Sequence, residues 1–224
     1  VVLRSVAELD LTKPGVSVIP AHLLTTDATH VLNNPDVDVV VELIGGERPA
    51  VDYLRAAMAQ GKHVVTANKE VMATHGPELI RLAEEQRVNL LYEASVGGGI
   101  PIIGPLRKDL LANEMTAVHA IINGTTNYIL TKMSQEGMDF GVALRRAQEL
   151  GYAEAAPTKD IEGVDAAFKL AIMATLAFHT KVAAGDVYRE GISRLAARDF
   201  QYAQELGYTI KLLAIARRNG DGLS

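Results

Sequence analysis

A nearly continuous run of β-branched and apolar residues at 36–44, closed by Gly45 and Gly46, constrains the fold of this chain more than any other feature. Runs of this kind are typical of strands that are buried in a parallel sheet. Helix-like and strand-like segments alternate around it and are bounded by glycine, proline and polar residues. The predicted elements are strand 1–7, helix 50–60 with Gly61 after it, strand 63–67, helix 76–87 and strand 88–93. This alternation predicts βαβ units and a parallel, doubly wound α/β sheet.

The pattern changes after about residue 100, where helical segments predominate. The predicted helices are 102–111, 128–136, 140–150, 165–178 and 196–205, with strands at 117–122 and 210–216. We therefore expect two domains, an α/β domain at 1–100 and an α+β domain at 101–224. Because the first residues run straight into a strand and the last resemble the start of a turn, we expect a piece of a longer polypeptide.

Composition excludes several classes of function. Of the 224 residues, 22 are basic and 27 acidic, and the net charge of −5 gives no support for nucleic-acid binding. The absence of cysteine excludes disulfides, a thiol nucleophile and thiolate metal sites, and the six histidines lack ligand-like spacing. No apolar segment approaches the roughly 18 residues that a membrane span needs. A cytoplasmic enzyme or binding protein fits these observations.

A lone lysine stands in an apolar helical run, with Asp165 and Lys169 the only charges between residues 165 and 178. Four residues apart, they share one face of the predicted helix. Burial among apolar groups weakens an amine's hold on its proton, which makes Lys169 a candidate general acid/base. An ordinary surface ion pair is the alternative, and the pair considered alone favours it.

Two predicted strands end next to polar residues or glycine. Ile44, Gly45 and Gly46 follow the first, and Asn68 and Lys69 follow the next. Because ligands of open α/β sheets bind at the carboxyl ends of strands, both ends indicate one crevice. A plain tight turn and a solvated lysine are the alternatives.

Three further segments could carry chemistry. The glycines at 97–99 could bind an ion through main-chain groups or form a hinge, and they do not make G-x-G-x-x-G, since Ile102 stands at the last position. The polar residues 123–127 could cap a helix or bind a polar substrate. Glu154 could pair with a ligand ammonium, whereas Asp160 could simply help to start a helix.

Five segments together carry a resemblance that no single motif carries. They are VELIGG (41–46), GKHVVTANK (61–69), YEASVGGGIP (92–101), NGTTNYIL (123–130) and LGYAEAAPTKDIEGVDAAFKLAI (150–172). In this order they resemble the homoserine dehydrogenase family. The resemblance implies a Rossmann-type domain that lacks its first strand here, followed by an α+β substrate and dimerisation domain. It also implies NAD(P)-dependent interconversion of L-homoserine and L-aspartate 4-semialdehyde, in threonine and methionine synthesis, by a homodimer.

The resemblance also assigns roles to residues. Lys169 matches the proton donor/acceptor at the reacting oxygen, and Lys69 and Asp165 complete the catalytic set. The expected substrate-binding residues are Glu154, Asp165, Asp160, Thr125 and Gly151. The expected cofactor-binding residues are Ile44, Gly45, Gly46, Lys69 and Gly151. A sodium-type cation site is expected at Glu93, Val96, Gly98 and Ile100, through main-chain oxygens.

Departures from the family pattern leave alternatives open. The G-x-G-x-x-G turn that cradles the pyrophosphate is absent from this sequence, so we expect the chain as given to bind cofactor poorly. Leu9 stands where an arginine can meet the 2′-phosphate of NADP, which leaves NAD and NADP both open. A glucose-fructose oxidoreductase-like dehydrogenase is a rival enzyme class, but Asn68 and Lys69 favour homoserine dehydrogenase. A non-catalytic remnant that only dimerises is the non-enzyme alternative.

Overall fold

The computed structural model describes residues 1–220 and 222–224 and divides into two compact units, Val1–Ile100 and Pro101–Ser224. The strands are β1 Val6–Ala7, β2 Leu24–Thr25, β3 Val39–Glu42, β4 His63–Thr66, β5 Leu90–Leu91, β6 Ala117–Ala120, β7 Ala214–Asn219 and β8 Gly222–Leu223. The helices are α1 Ala28–Asn33, α2 Ala50–Ala59, α3 Lys69–Glu85, α4 Gly124–Glu136, α5 Phe140–Glu149, α6 Thr158–Ile161, α7 Val164–Phe178 and α8 Ala197–Glu205.

The first unit is built on a parallel sheet with strand order β3-β4-β5, beside a separate parallel pair, β1 and β2. In β3, Val40 and Glu42 are buried while Val39 and Val41 are exposed, and helix α2 packs against β3 and β4. The register places Glu42 opposite Thr66, so the carboxyl ends of β3 and β4 are level. The predicted α/β architecture with parallel strands is therefore confirmed.

Several predicted boundaries in the first unit are wrong, including those of the strand predicted at 88–93, which is only Leu90–Leu91. The helix predicted at 76–87 begins seven residues earlier, at Lys69, because the Asn68 side chain accepts a hydrogen bond from the Val71 amide (3.1 Å) and caps α3. Pro77 lies inside this helix and does not start it. Of the strand predicted at 1–7, only Val6–Ala7 forms a strand, which pairs with β2. The elements β2 and α1 were not predicted.

The second unit combines an antiparallel sheet, β6-β7-β8, with helices α4 to α8. Helix α7 packs against β7 and β6, and α4 packs against α5 and α8. A core cluster joins the helices, and its buried members include Ile129, Leu130, Met133, Ala143, Ala147, Ile161 and Phe200. Of the described residues, no helix is both long and apolar enough to cross a bilayer.

Local chemistry explains the boundaries that differ in the second unit. Helix α4 begins at Gly124 and not at residue 128, because Asn123 accepts a hydrogen bond from the Thr126 amide (2.8 Å). The helix predicted at 102–111 is a wider π-helical turn at Pro105–Asp109, closed by the Leu110 amide on the Pro105 carbonyl (3.0 Å). Strand β7 runs from 214 to 219, and the strand predicted at 210–216 lies too early.

Candidate active site

Helix α7 brings Asp165 and Lys169 into a close, largely buried ion pair. Lys169 Nζ lies 2.7 Å from Asp165 Oδ2, and the side chains are only 17% and 2% exposed. The same ammonium donates to the Ile122 carbonyl at 3.0 Å. A surface pair would gain little and be screened by solvent. The surface-pair interpretation of the sequence is therefore wrong, and α7 presents this pair in a site of limited solvent access.

Asn123 connects this pair to a second carboxylate. Its Nδ2 group donates to Asp160 Oδ1 at 2.7 Å and to Asp165 Oδ2 at 2.8 Å, while its Oδ1 atom is fixed by the Thr126 amide. Because the Oδ1 atom must face the helix amide, the two N–H groups must face the carboxylates. Asn123 is buried, so these bonds form in a partly desolvated site and hold the two acids side by side.

Thr125 ties the loop after α5 to the same cluster. Its hydroxyl lies 2.7 Å from the Tyr152 carbonyl and 3.3 Å from Asp160 Oδ2. Gly151, which precedes Tyr152, has a φ of +76°. Asp160 itself lies in the short helix α6. The structure thus brings together Thr125, Asp160, Asp165 and Lys169, with the backbone next to Gly151.

Glu154 differs from the other predicted substrate-binding acids. It is exposed, and its backbone carbonyl accepts a hydrogen bond from Gln148 Nε2 at 3.1 Å. Among the described residues, no hydrogen bond joins its carboxylate to the cluster of Asp160 and Asp165. Its predicted contact with substrate therefore rests on the position of the loop alone.

In the first unit, a buried carboxylate organises the ends of β3 and β4. Glu42 is 3% exposed, and its Oε1 atom accepts the amides of Ile44 (2.7 Å) and Gly45 (3.3 Å). Its Oε2 atom accepts the hydroxyl of Thr66 at 2.6 Å. Such charge-assisted bonds are among the strongest that a protein forms. They fix the path of the chain into the segment 44–46, for which we predicted cofactor contacts.

Asn68 continues this network toward Lys69. Its Nδ2 atom donates to the Gly46 carbonyl at 2.7 Å, and its Oδ1 atom caps α3. Lys69 is therefore the first residue of α3, where backbone amides and the helix dipole already favour a negative group. An anion near this point would meet both the helix end and the ammonium.

The glycine-rich loop lies at the end of the first unit. Gly97 and Gly98 have φ values of +77° and +59°, and the Ile100 amide donates to the Gly97 carbonyl at 3.0 Å. Among the described residues, no group of three His, Asp or Glu side chains could hold a metal ion. The predicted cation site therefore depends on main-chain oxygens around Glu93, Val96, Gly98 and Ile100, and it stays a prediction.

Sequence reasoning missed Glu42 as a site residue, and it did not identify the two carboxylates that Asn123 contacts. A signal existed for Glu42, since it is the one charge that directly precedes the apolar end of its strand and the two glycines. For Asn123 the sequence indicated the cap but not its partners, which lie 37 and 42 residues further along the chain.

Comparison with models of known protein families shows to which family the chain belongs. A family model described as homoserine dehydrogenase matches residues 101–222, and a model described as the NAD binding domain of homoserine dehydrogenase matches residues 1–93. The chain belongs to the homoserine dehydrogenase family. The parallel sheet of the first unit is thus part of a Rossmann-like NAD-binding domain, as the sequence resemblance implied.

Individual relatives agree with this assignment. The chain is 49% identical over 224 residues to homoserine dehydrogenase of Corynebacterium glutamicum, covering 99% of this chain and 50% of the relative. It is 46% identical to the Bacillus subtilis homoserine dehydrogenase, covering 98% and 51%. The chain thus spans about half the length of the curated relatives that it matches.

Solved structures agree as well. A homoserine dehydrogenase from Thiobacillus denitrificans superimposes with a TM-score of 0.87 at 50% identity, covering 91% of this chain and 47% of that one. A hyperthermophilic archaeal homoserine dehydrogenase in complex with NADPH superimposes with a TM-score of 0.74 at 28% identity, covering 92% and 64%.

Proposed function

We propose that the full-length protein catalyses the NAD(P)-dependent interconversion of L-homoserine and L-aspartate 4-semialdehyde, in threonine and methionine synthesis. The observation that carries the proposal is the buried pair of Lys169 and Asp165, 2.7 Å apart on an otherwise apolar helix. A single acid/base group suffices for this reaction, since the substrate loses one proton from oxygen and one hydride from carbon.

Lys169 is proposed to be the general acid/base that exchanges a proton with the reacting oxygen of the substrate. In oxidation its neutral amine accepts the proton of the substrate hydroxyl as hydride leaves the adjacent carbon. In reduction its ammonium returns a proton to the oxygen of the aldehyde. Asp165 and the Ile122 carbonyl orient the amine, since each accepts one of its hydrogen bonds. The nicotinamide cofactor, when bound, supplies or accepts the hydride.

The acids are proposed to hold the ammonium group of the amino-acid substrate. Asp160 and Asp165 are clamped together by Asn123, which concentrates negative charge at one point. Thr125 and the backbone at Gly151 line the same cluster, and Glu154 is proposed to join it from the exposed loop. Lys69, at the start of α3, is proposed to meet the carboxylate of the substrate.

Ile44, Gly45, Gly46 and Lys69, which follow the strands of the sheet, are proposed to contact the cofactor. The family resemblance adds Gly151, a residue of the second unit, to the proposed cofactor contacts. The segment 44–46 fits such a group because it is exposed and its glycines carry no side chain, so a ligand can approach the backbone. The family model matched at residues 1–93 is described as an NAD binding domain, and the archaeal relative is described in complex with NADPH, so together they support a nicotinamide dinucleotide of either type.

Three finer parts of the proposal rest on the family resemblance. We propose that the protein is a cytoplasmic homodimer and that main-chain oxygens of Glu93, Val96, Gly98 and Ile100 bind a sodium-type cation. Flame photometry of the dialysed protein and sedimentation analysis test the cation and the dimer separately. If the protein holds no sodium, the proposed cation site is wrong, and the proposed reaction is not affected.

The test of the reaction is a spectrophotometric assay of the full-length protein with L-homoserine and either NAD⁺ or NADP⁺. We expect homoserine-dependent formation of reduced cofactor with at least one of them. L-Serine and glucose serve as control substrates, since glucose is the substrate class of the rival dehydrogenases. No homoserine-dependent reduction of either cofactor would exclude the proposed activity.

A further inference from the structure

We infer that Glu42 is a positioning residue that makes the segment 44–46 a hydrogen-bond acceptor surface for a neutral donor of the cofactor, a sugar hydroxyl or a carboxamide, and not for its phosphates. This inference rests on the proposed function, because it concerns the same dinucleotide. It assigns a task to a buried carboxylate that the proposed proton transfer does not use.

The amides of the segment are already engaged inside the protein. Glu42 Oε1 accepts Ile44 N at 2.7 Å and Gly45 N at 3.3 Å, and Glu42 is 3% exposed. Phosphates in nucleotide-binding loops are held by several backbone amides that point at the ligand. Here two consecutive amides point at a protein carboxylate, so they are not available to an anion.

The atoms that remain are mainly acceptors. The Gly46 carbonyl is held by Asn68 Nδ2 at 2.7 Å. Among the residues that the structure describes, the carbonyl oxygens of Ile44 and Gly45 make no hydrogen bond, and both residues are exposed. Two unbonded carbonyls on exposed residues, close to a buried carboxylate, repel phosphate and suit a hydroxyl or amide N–H.

The geometry of the segment depends on this carboxylate. Gly45 and Gly46 adopt φ values of +78° and +70°, a conformation that glycine tolerates but does not prefer over others. The Glu42 and Asn68 hydrogen bonds therefore select it. Removing the carboxylate frees two amides and lets the two carbonyls turn away from the ligand.

The test measures binding directly, without turnover. In the full-length protein, the fluorescence of NADH or NADPH, whichever the wild type binds, gives a dissociation constant for wild type, Glu42→Ala, Glu42→Gln and Glu47→Ala. We expect Glu42→Ala to raise it about tenfold, the scale of a lost charge-assisted hydrogen bond. Glu42→Gln should largely rescue binding, since its amide oxygen still accepts both amides. Glu47→Ala, an exposed neighbour bonded to His75, should bind as wild type does.

Competition by inorganic pyrophosphate separates the two kinds of contact. Its inhibition constant should be the same in Glu42→Ala as in wild type, because the phosphates bind elsewhere. In assays with homoserine, the KM for cofactor should rise while kcat and the KM for homoserine stay near wild type. A parallel weakening of pyrophosphate, or unchanged dinucleotide binding in Glu42→Ala, would overturn the inference.

A second variant covers the case in which Glu42→Ala does not fold. Asn68→Ser keeps a helix-capping oxygen but removes the donor to the Gly46 carbonyl. We expect it to weaken dinucleotide binding and not pyrophosphate binding, and wild-type binding in this variant would contradict the inference. If the wild type binds neither dinucleotide, the proposed cofactor fails first, which distinguishes that failure from a failure at Glu42.

Discussion

The side-chain amide of Asn123 lies 2.8 Å from the carboxylate of Asp165, on the same oxygen that Lys169 approaches to 2.7 Å. This one oxygen atom thus contacts both Lys169, the candidate acid/base, and Asn123, which caps the start of α4. The second N–H of Asn123 reaches Asp160 at 2.7 Å. The arrangement links Lys169, the proposed acid/base, to the acids proposed to bind the substrate ammonium.

Replacing Asn123 by aspartate should impair substrate binding in a pH-dependent way. The variant retains a capping oxygen for α4 but sets a third carboxylate against two others. We expect the KM for homoserine at neutral pH to rise about tenfold or more, the scale of a lost hydrogen bond to a charged group. The KM should improve toward acid pH, because protonation of one carboxyl relieves the repulsion.

Steady-state kinetics across pH check this expectation, with Asn113→Asp as the matched control at an exposed position. Equal effects of the two substitutions, or a KM without pH dependence in Asn123→Asp, would assign Asn123 to helix capping alone.

Removing the lysine should abolish most of the turnover without affecting cofactor binding. Lys169→Ala deletes the group proposed to exchange the proton, so we expect kcat to fall about a hundredfold or more. The dissociation constant for NADH or NADPH should remain that of the wild type. Single-turnover measurements of hydride transfer, read from the absorbance of the reduced cofactor, isolate this step.

Lys181→Ala, an exposed lysine shortly after the same helix, is the control for loss of one positive charge. A kcat for Lys169→Ala close to that of Lys181→Ala would mean that Lys169 is structural.

The sequence could predict those parts of the site that depend on local geometry. Helix periodicity sets Asp165 and Lys169 on one face, and the polar residue at 123 indicates a cap, which the structure contains. The parallel strands followed from their apolar runs. Burial of the ion pair was not predictable from the pair itself, because it depends on what packs against α7.

The roles of Asn123 and Glu42 depend on contacts between distant parts of the chain. Glu42 meets Thr66 from the next strand, 24 residues later, and sequence periodicity gives no information about such partners. Similarly, α3 extends through Gly76 and Pro77 because the Asn68 cap and packing of Val71 and Leu79 outweigh local helix-breaking tendencies.

Truncation of Ile129 should destabilise the second unit. Its side chain is fully buried in the cluster between α4, α5 and α8, so Ile129→Ala leaves a cavity and should cost about 2–5 kcal/mol. Urea unfolding followed by far-UV circular dichroism measures the loss. Leu111→Ala, at a residue that is 59% exposed, should change stability by less than about 0.5 kcal/mol. Similar losses in both variants would show that the cluster is not the core of this unit.

The ion pair between α2 and α3 should make stability fall in acid. Arg55 binds Glu78 through two hydrogen bonds, Nε to Oε1 at 2.9 Å and Nη2 to Oε2 at 2.8 Å. The hydrogen bond from Arg55 lowers the pKa of Glu78 below its ordinary value of 4.5. A carboxyl whose folded pKa is lowered stabilises the fold above its unfolded value and loses this contribution as pH falls through the folded value.

Because the side chains of Arg55 and Glu78 are 31% and 45% exposed, solvent screening limits the contribution of their pair to below about 1 kcal/mol. Glu78→Gln should therefore lower the thermal midpoint slightly at neutral pH, and the difference from wild type should shrink at pH values below 4.5. Thermal unfolding across this pH range checks the sign, with Glu84→Gln on the exposed face of the same helix as control. A difference in thermal midpoint that grows in acid would contradict the lowered pKa of Glu78. Protonation of Glu78 weakens the same ion pair that Glu78→Gln has already removed, so the two proteins should become more alike in acid.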